Sequence, residues 1–209
     1  MVELLKVKYK GKALETGEEF EAKDILLVLG KNILIPGLEE ALKEMKEGES
    51  KVVKIPPEKG YGERKADLIK IVSLQSFRKN NIEPYPGMEI EVDGVIAKVQ
   101  SVSGGRVRLD FNPKFAGKTL EYDITLLKKY SKLEDQILAI YEKTFPDVEE
   151  KPEIKETGGE YLIELPEKCL QLPEYASAKI EFQRAIKELL GISAKVEEKR
   201  KVMTEGNKV

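Results

Sequence analysis

Residues 35–48 read IPGLEEALKEMKEG, and the apolar residues in this stretch have the spacing of one helical face. This face consists of Leu38, Ala41, Leu42 and Met45. Pro36 suits the first turn of a helix, because an amide hydrogen has no helical partner there. Gly48 is placed to cap the C-terminus. The stretch therefore predicts one short amphipathic helix whose apolar face packs against a neighbouring element.

Strand patterns on both sides of this helix predict the sheet that covers it. Val7 and Tyr9 alternate with charged residues, and a turn at Gly17 leads into a second strand. The segment SKVVKIPPE is typical of a strand that two prolines end. A further strand within residues 118–130 carries on one face Leu120, Tyr122, Ile124 and Leu126. We expect this strand to return to the first sheet, because residues 1–66 alone are too short to close a sheet around the helix.

The residues in between, 67–117, predict a small lobe inserted into the first domain. The stretch MEIEVDGVIAKVQSVSGGRVRLDF contains three strand patterns, joined at Asp93-Gly94 and at Ser103-Gly104-Gly105, which are typical hairpin turns. The preceding segment LIKIVSLQSF shows no clear period. An insertion is tolerated where it enters at a surface loop. We therefore expect a small antiparallel sheet as a separate lobe.

Residues 131–209 predict a third unit with the order αββαβ. KLEDQILAIYEKTF and PEYASAKIEFQRAIKELLG have helical spacing, and Gly191 ends the second of them. A hairpin turns at Gly158-Gly159, and SAKVEEKRKV is typical of a final strand. This order predicts a small sheet with helices on one face. The chain as a whole is predicted to be α+β.

Composition excludes several classes of chemistry. The 209 residues contain no histidine and a single cysteine, Cys169, so a Ser-His-Asp or Cys-His mechanism and a structural zinc site are excluded. The net charge of −2, with lysine and glutamate mixed along the chain, argues against a nucleic-acid partner. The sequence shows no signal peptide and no stretch of roughly 18–20 apolar residues. We expect a cytoplasmic protein without a membrane partner, metal or cofactor.

A second short motif, together with other segments, carries a resemblance to a known family. Residues 56–64 read PPEKGYGER, in which Gly60 and Gly62 flank Tyr61 and free the backbone around one aromatic ring. Together with VKYKGK, TGEEF, IPGLEEAL and AGKTLEYDITLL, this motif resembles the FKBP-type peptidyl-prolyl cis-trans isomerases and, more narrowly, their SlyD-like branch. The lobe with PGMEIEVDG and FNPKFAGK resembles the insert-in-flap domain of that branch. The third unit resembles the C-terminal domain of the long archaeal members.

The resemblance implies three domains and a fold. Residues 1–66 and 118–130 would form the isomerase domain, residues 67–117 the insert-in-flap chaperone lobe, and residues 131–209 a C-terminal α+β domain. The fold would be a half-open antiparallel sheet around one helix, with an apolar pocket between them. The implied partners are unfolded or nascent polypeptides that contain X-Pro bonds. The implied activity is cis-trans isomerisation of those bonds without covalent chemistry.

The resemblance also assigns residues to the site. Catalytic roles fall on Phe20, Glu21, Tyr61 and Tyr122. Substrate-binding roles in the pocket fall on Tyr9, Leu34, Ile35 and Leu38. From pattern alone, Tyr9, Phe20, Leu34 and Tyr122 would be ordinary sheet core. Glu21 stands where the family often has aspartate, Leu38 where many members have tryptophan, and Tyr122 where phenylalanine is usual.

Residues of the insert are also assigned a role by the resemblance, and alternatives remain for the function and the assembly of the chain. In the insert, the residues expected to bind unfolded chains are Leu68, Ile71, Leu74 and Phe77, which are most simply the insert's own core. A holdase chaperone with a weak isomerase pocket is the alternative function, and Glu21 and Leu38 are the features that favour it. Metal handling is disfavoured, because soft-metal ligands are absent from the sequence. A homodimer through the C-terminal domain is expected from the uncovered face or edge of its sheet.

Overall fold

The computed structural model describes residues 3–30 and 34–199, which form a mixed α/β structure with three sheets and few helices. Predictions that fall on residues 1–2, 31–33 and 200–209, including the end of the expected last strand, lie outside the described residues. Within these two ranges, no helix has the length and apolar character needed to cross a membrane.

The first sheet is antiparallel and wraps one helix. Its members are strands β1 (Glu3–Ala13), β2 (Glu19–Leu29), β3 (Ser50–Ile55) and β8 (Leu120–Tyr130), with helix α1 (Pro36–Glu44) on one face. The strand order is β2-β1-β8-β3, so β8, which follows the insertion in sequence, lies between β1 and β3. Helix α1 buries Leu38, Ala41 and Leu42, as its spacing predicted.

The end of helix α1 differs from the prediction. The helix ends at Glu44, and Met45 already has an extended backbone, so the prediction that Gly48 caps the helix is wrong. Gly48 instead adopts a left-handed conformation in the turn before β3. Its N–H donates to the carbonyl oxygen of Leu126 at 2.8 Å, which ties the turn to β8. Met45 is buried in the core although it is outside the helix.

The second sheet is formed by residues inserted between β3 and β8. It contains β4 (Ile69–Ser73), β5 (Glu89–Val92), β6 (Val95–Ser103) and β7 (Arg106–Asp110), in the antiparallel order β4-β7-β6-β5. Helix α2 (Leu74–Lys79) follows β4 directly. The three predicted strands are present, and the segment without a clear period supplies a fourth strand and a helix. The buried core of this sheet consists of Phe77, Ile90, Ala97, Val99, Val107 and Leu109.

The third sheet belongs to the C-terminal part of the chain. Its elements are α3 (Leu133–Thr144), β9 (Glu153–Thr157), β10 (Glu160–Leu165), α4 (Tyr175–Ala185) and β11 (Ala194–Glu198). The order is β11-β10-β9, with β10 parallel to β11 and antiparallel to β9. Helix α4 continues into a π-helical turn that ends at Gly191, whose left-handed backbone caps it as predicted.

The first sheet supplies side chains to two cores. Successive side chains on a strand point to opposite faces. Leu5 accordingly packs in the core around α1, whereas Leu4 packs in the core of the C-terminal part, together with Val28 and Tyr130. Both leucines are fully buried. The C-terminal helices thus cover the face of the first sheet that α1 leaves open, at the end where β1 begins.

Candidate functional site

Five aromatic rings meet at one end of the face of the first sheet that carries α1. Ring centroids are 5.4 Å apart for Tyr9 and Tyr122, 5.3 Å for Phe20 and Tyr122, and 6.3 Å for Tyr9 and Phe20. Phe115 extends the group, at 5.0 Å from Phe20 and 5.6 Å from Tyr61. Three of these five pairs meet edge to face, which is a favourable geometry for aromatic rings, and the two pairs that involve Phe115 are tilted. The five rings are called the ring cluster below.

A glycine in the central strand makes room for the ring cluster. Gly11 on β1 lies opposite Phe20 on β2 and opposite Tyr122 on β8. A Cβ atom at Gly11 would lie 2.0 Å from Cε2 of Phe20, far inside van der Waals contact. Glycine within a strand often marks a place where another group approaches the backbone closely. Here it lets the Phe20 ring lie over the backbone of β1 and reach Tyr122.

The two glycines around Tyr61 shape a tight turn. The N–H groups of Gly60 and Gly62 both donate to the carbonyl oxygen of Pro57, at 2.9 and 2.7 Å. Gly62 has a φ of 76°, a left-handed conformation that glycine adopts without steric cost. Its own carbonyl accepts the N–H of Gly117 at 2.8 Å, which joins the turn to the segment that carries Phe115. The turn thereby holds the Tyr61 ring, which is 42% exposed, at the mouth of the ring cluster.

The hydroxyls of Tyr9 and Tyr122 in the ring cluster are held in the neutral form. Burial raises the pKa of Tyr122 well above its usual range, and the nearby Tyr61 and Tyr9 raise it further. Burial, followed by the effect of Tyr61, also raises the pKa of Tyr9. These hydroxyls therefore keep their protons at neutral pH. A neutral phenol can donate a hydrogen bond to a carbonyl oxygen without removing a proton from anything.

Aliphatic residues around the start of α1 pack in the same core as the ring cluster. Leu38 is buried in the first turns of α1, and Leu34 and Ile35 are half-buried just before it.

Glu21 does not lie on the same face of the sheet as the ring cluster. It follows Phe20 on β2 without a register shift, so its side chain points to the opposite face of the sheet. It lies opposite Lys10, forms an ion pair of 3.6 Å with Lys23 and is exposed.

The four insert residues singled out from the sequence fall in different environments. Phe77 is buried in the core of the second sheet, Leu74 packs against that core, and Leu68 is half-buried in the turn before β4. Ile71 faces the other way and is 65% exposed. The insert also exposes large apolar side chains that sequence reasoning did not single out, namely Tyr85, Val95 and Ile96.

Polar contacts join the two chain segments that connect the insert to the first sheet. The Arg64 guanidinium forms a salt bridge with Asp110, whose carboxylate also accepts hydrogen bonds from Gln100 and Asn112. The Asn112 amide accepts the N–H of Lys65 at 2.8 Å and donates to the carbonyl oxygen of Lys65 at 2.9 Å. These contacts, called the junction clasp below, fix the insert next to the turn that carries Tyr61.

Comparisons with known proteins agree with this geometry. Residues 70–115 match the family model described as FKBP26, IF domain. A short-type peptidyl-prolyl cis-trans isomerase of Methanocaldococcus jannaschii is 43% identical over 106 residues, which are 51% of this chain and 68% of that protein. The FKBP-type peptidyl-prolyl cis-trans isomerase SlyD of Treponema pallidum is 32% identical over 134 residues, covering 60% of this chain and 76% of that protein.

This chain belongs to the FKBP-type peptidyl-prolyl cis-trans isomerases. Its SlyD-like character, expected from the motifs, is supported by the SlyD relative and by the match to the IF domain. An FKBP-type 16 kDa peptidyl-prolyl cis-trans isomerase of Escherichia coli is also similar, at 31% identity over 114 residues and 74% of its length.

In this FKBP-type chain, sequence reasoning missed Gly11 and Phe115 at the site. A signal for Gly11 was available, because glycine interrupts an otherwise regular strand pattern at that position. Phe115 lies on the segment that returns from the insert, and no local pattern connects it with Phe20 or Tyr61. The hydrogen bond from Gly117 to Gly62 holds this segment beside the turn that carries Tyr61.

Replacing Gly11 by alanine should disturb this site through Phe20. The added methyl group overlaps the ring, so we expect Gly11→Ala to lower the free energy of unfolding by about 1–3 kcal/mol, the usual cost of overpacking. In a Phe20→Ala background the same change should cost almost nothing, because the clashing ring is gone. Denaturant unfolding of the four proteins gives this coupling as a double-mutant cycle. An equal cost of Gly11→Ala in both backgrounds would show that Phe20 does not occupy the space above Gly11.

Proposed function

We propose that the ring cluster is a proline-binding pocket and that the chain catalyses cis-trans isomerisation of X-Pro bonds. The observation that carries this proposal is the ring cluster itself, in which five aromatic side chains meet and burial keeps the Tyr122 hydroxyl neutral. A proline ring is flat and apolar enough to pack among such rings. The Tyr61 hydroxyl, at the mouth, is available to a carbonyl oxygen of the bound peptide.

The chemistry of the reaction requires little more than such a pocket. Rotation about the peptide bond has a barrier of roughly 18–20 kcal/mol, because it breaks the amide resonance. The twisted amide is less polar than the planar one, so an apolar pocket favours it. Preferential binding of the twisted form by a few kcal/mol gives about 10²–10⁴-fold acceleration, at about 1.36 kcal/mol per factor of ten. Hydrogen bonds to the carbonyl oxygen hold the twisted state, and no acid-base group takes part.

We propose roles for the site residues on this basis. Tyr61 and Tyr122 hold the substrate carbonyl, and Phe20 forms the wall over Gly11. The remaining residues that line the pocket are Tyr9, Leu34, Ile35, Leu38 and Phe115. Glu21 has no place in this set, because it lies on the opposite face of the sheet.

We also propose that the insert, residues 67–117, captures unfolded chains for the isomerase domain of residues 1–66 and 118–130. Its separate core supports a unit of its own, and the match over residues 70–115 falls within it. The exposed apolar side chains support binding of unfolded polypeptides, chiefly Ile71, Val95 and Ile96 rather than Phe77. A chain bound there would have a high effective concentration at the pocket.

Refolding of a protein limited by a trans-to-cis proline step tests both parts of this proposal. We expect catalytic amounts of the intact chain to accelerate it. Tyr61→Phe should lose about 2- to 13-fold in rate, the equivalent of one hydrogen bond of about 0.5–1.5 kcal/mol. Tyr161→Phe removes a tyrosine hydroxyl from strand β10 of the third sheet, outside both the ring cluster and the insert, and serves as the control.

A shortened chain separates the insert from the pocket in the same assay. Ile69 and Asp110 lie opposite each other on neighbouring strands, so an Asn-Gly turn can replace residues 70–109 and leave Phe115 and Asn112 in place. This variant should keep its activity on a short proline peptide and lose most of it on the refolding protein. Suppressed aggregation without any acceleration by the intact chain would refute the isomerase and favour the holdase alternative.

We further propose that the chain forms a homodimer through its C-terminal domain, residues 131–209. The outer face of the third sheet does not support this contact, because ion pairs such as Lys155–Glu164 and Lys199–Glu153 cover it. The support comes instead from two large apolar side chains on the helical side, Leu170 and Ile180, which are 45% and 67% exposed.

Sedimentation of the full chain tests the dimer. We expect a dimer for the wild-type chain and a monomer for Ile180→Asp, because a buried unpaired carboxylate opposes association. Val52→Asp places the same charge at an equally exposed position on the first sheet and should leave the dimer intact. A wild-type monomer would contradict the proposal, as would an unchanged dimer for Ile180→Asp.

A further inference from the structure

Two lysines lie beside Phe115, the ring of the ring cluster that contacts Tyr61. The ammonium groups of Lys114 and Lys118 are 5.4 and 5.6 Å from the centroid of Phe115, within the range of a cation–π contact. Phe115 itself lies between Phe20 and Tyr61. Both positive charges are therefore next to the ring cluster.

The carboxylates nearest to these lysines are already engaged. Glu18 forms a 2.6 Å ion pair with Lys114, and this contact is the main reason that the pKa of Glu18 is lowered. Both oxygens of Glu15 accept the N–H of Thr119, at 2.9 and 3.0 Å. Lys118 acts on both carboxylates at longer range, yet among residues 3–30 and 34–199 it has no ion pair within 4.0 Å. Its charge is thus compensated only in part.

The same lysines line a cleft between the segment around Phe115 and the second sheet. The cleft has a volume of about 630 Å³ and is lined on the insert side by Ile96 and Lys98. Lys98 is a third cation near Glu18. Among the charged residues that line the cleft, four are basic and three are acidic, namely Arg64, Lys98, Lys114 and Lys118 against Glu18, Glu89 and Asp110. Arg64 pairs with Asp110 and Lys114 with Glu18. Among the charged residues that line the cleft, those outside these two pairs are Lys98, Lys118 and Glu89, so the cleft has a small excess of positive charge.

We propose that Lys118 makes the proline pocket selective for substrate segments that carry a carboxylate one or two residues from the proline. Successive Cα atoms of a substrate are about 3.8 Å apart. A side chain one or two residues away from a proline bound against Phe115 therefore reaches the Lys118 ammonium. This inference rests on the proposed function of the ring cluster and adds a charge preference to it.

A series of proline peptides tests this selectivity on the full chain. Each peptide carries Glu, Gln or Lys at one position, one or two residues before or after the proline. Both the dissociation constant and the acceleration of isomerisation are measured. At one or more positions we expect Glu to be favoured over Lys by about two- to fivefold, the range of exposed ion pairs. The preference should fall as salt rises from 0.01 to 1 M, because screening shortens to about 3 Å.

Variants of the chain show whether Lys118 is responsible. Lys118→Glu should reverse the preference and Lys118→Arg should keep it, whereas Glu18→Gln should increase it by releasing Lys114. Lys79→Glu makes the same charge change on the insert at a residue outside the cleft, and should leave the preference unchanged.

The outcomes separate this inference from the function on which it rests. Equal binding and acceleration of all peptides would overturn the role of Lys118 and leave the isomerase in place. An equal effect of Lys79→Glu and Lys118→Glu would also overturn it, because the preference would then come from the general field of the protein. A charge preference in binding without acceleration of any peptide would retain Lys118 and refute the isomerase.

Discussion

The structure depends on the contact of Phe20 and Tyr122 across Gly11. These residues lie on three neighbouring strands, β2, β8 and β1, so the contact fixes which side chains of the first sheet converge. A side chain at position 11 would push the Phe20 ring out. With the ring in place, Tyr9 and Phe115 pack against it and Tyr61 closes the mouth. The absence of a side chain at position 11 thus allows the five rings to meet on this face of the sheet.

The first sheet also connects the ring cluster with the rest of the chain. Leu5 packs towards α1 and Leu4 towards the C-terminal helices, so the two faces of one strand join two cores. The junction clasp, with Arg64, Asp110 and Asn112, holds the insert beside the turn of Tyr61. The C-terminal part therefore covers the back of the sheet, far from the ring cluster, whereas the insert borders the mouth of the pocket. These positions are compatible with the separate roles proposed above for the ring cluster, the insert and the C-terminal domain.

Sequence patterns predicted what depends on local periodicity. The stripe on α1, the alternation on β8 and the hairpins of the insert appear as expected, and the resemblance brought Tyr9, Phe20, Tyr61 and Tyr122 to one site. The secondary structure of LIKIVSLQSF could not be predicted from the sequence, because a strand of five residues is followed directly by a helix of six. Neither the strand period nor the helix period repeats often enough in such short elements to be recognised. Phe115 and the junction clasp depend on contacts between distant segments, which no window of sequence contains. For Glu21, the local pattern was more informative than the resemblance. The resemblance assigned Glu21 to the pocket, whereas the alternation of side chains along β2 places it on the opposite face of the sheet.

The central claim is that the ring cluster holds the proline, and NMR of a bound proline peptide tests it most directly. The chain has eight tyrosines, six phenylalanines and no tryptophan, so the aromatic signals can be assigned ring by ring. The account predicts nuclear Overhauser contacts from the proline ring protons to Phe20, Tyr122 and Phe115, and their loss in Gly11→Ala. Contacts confined to the insert, with the rings of the first sheet unchanged on binding, would contradict it.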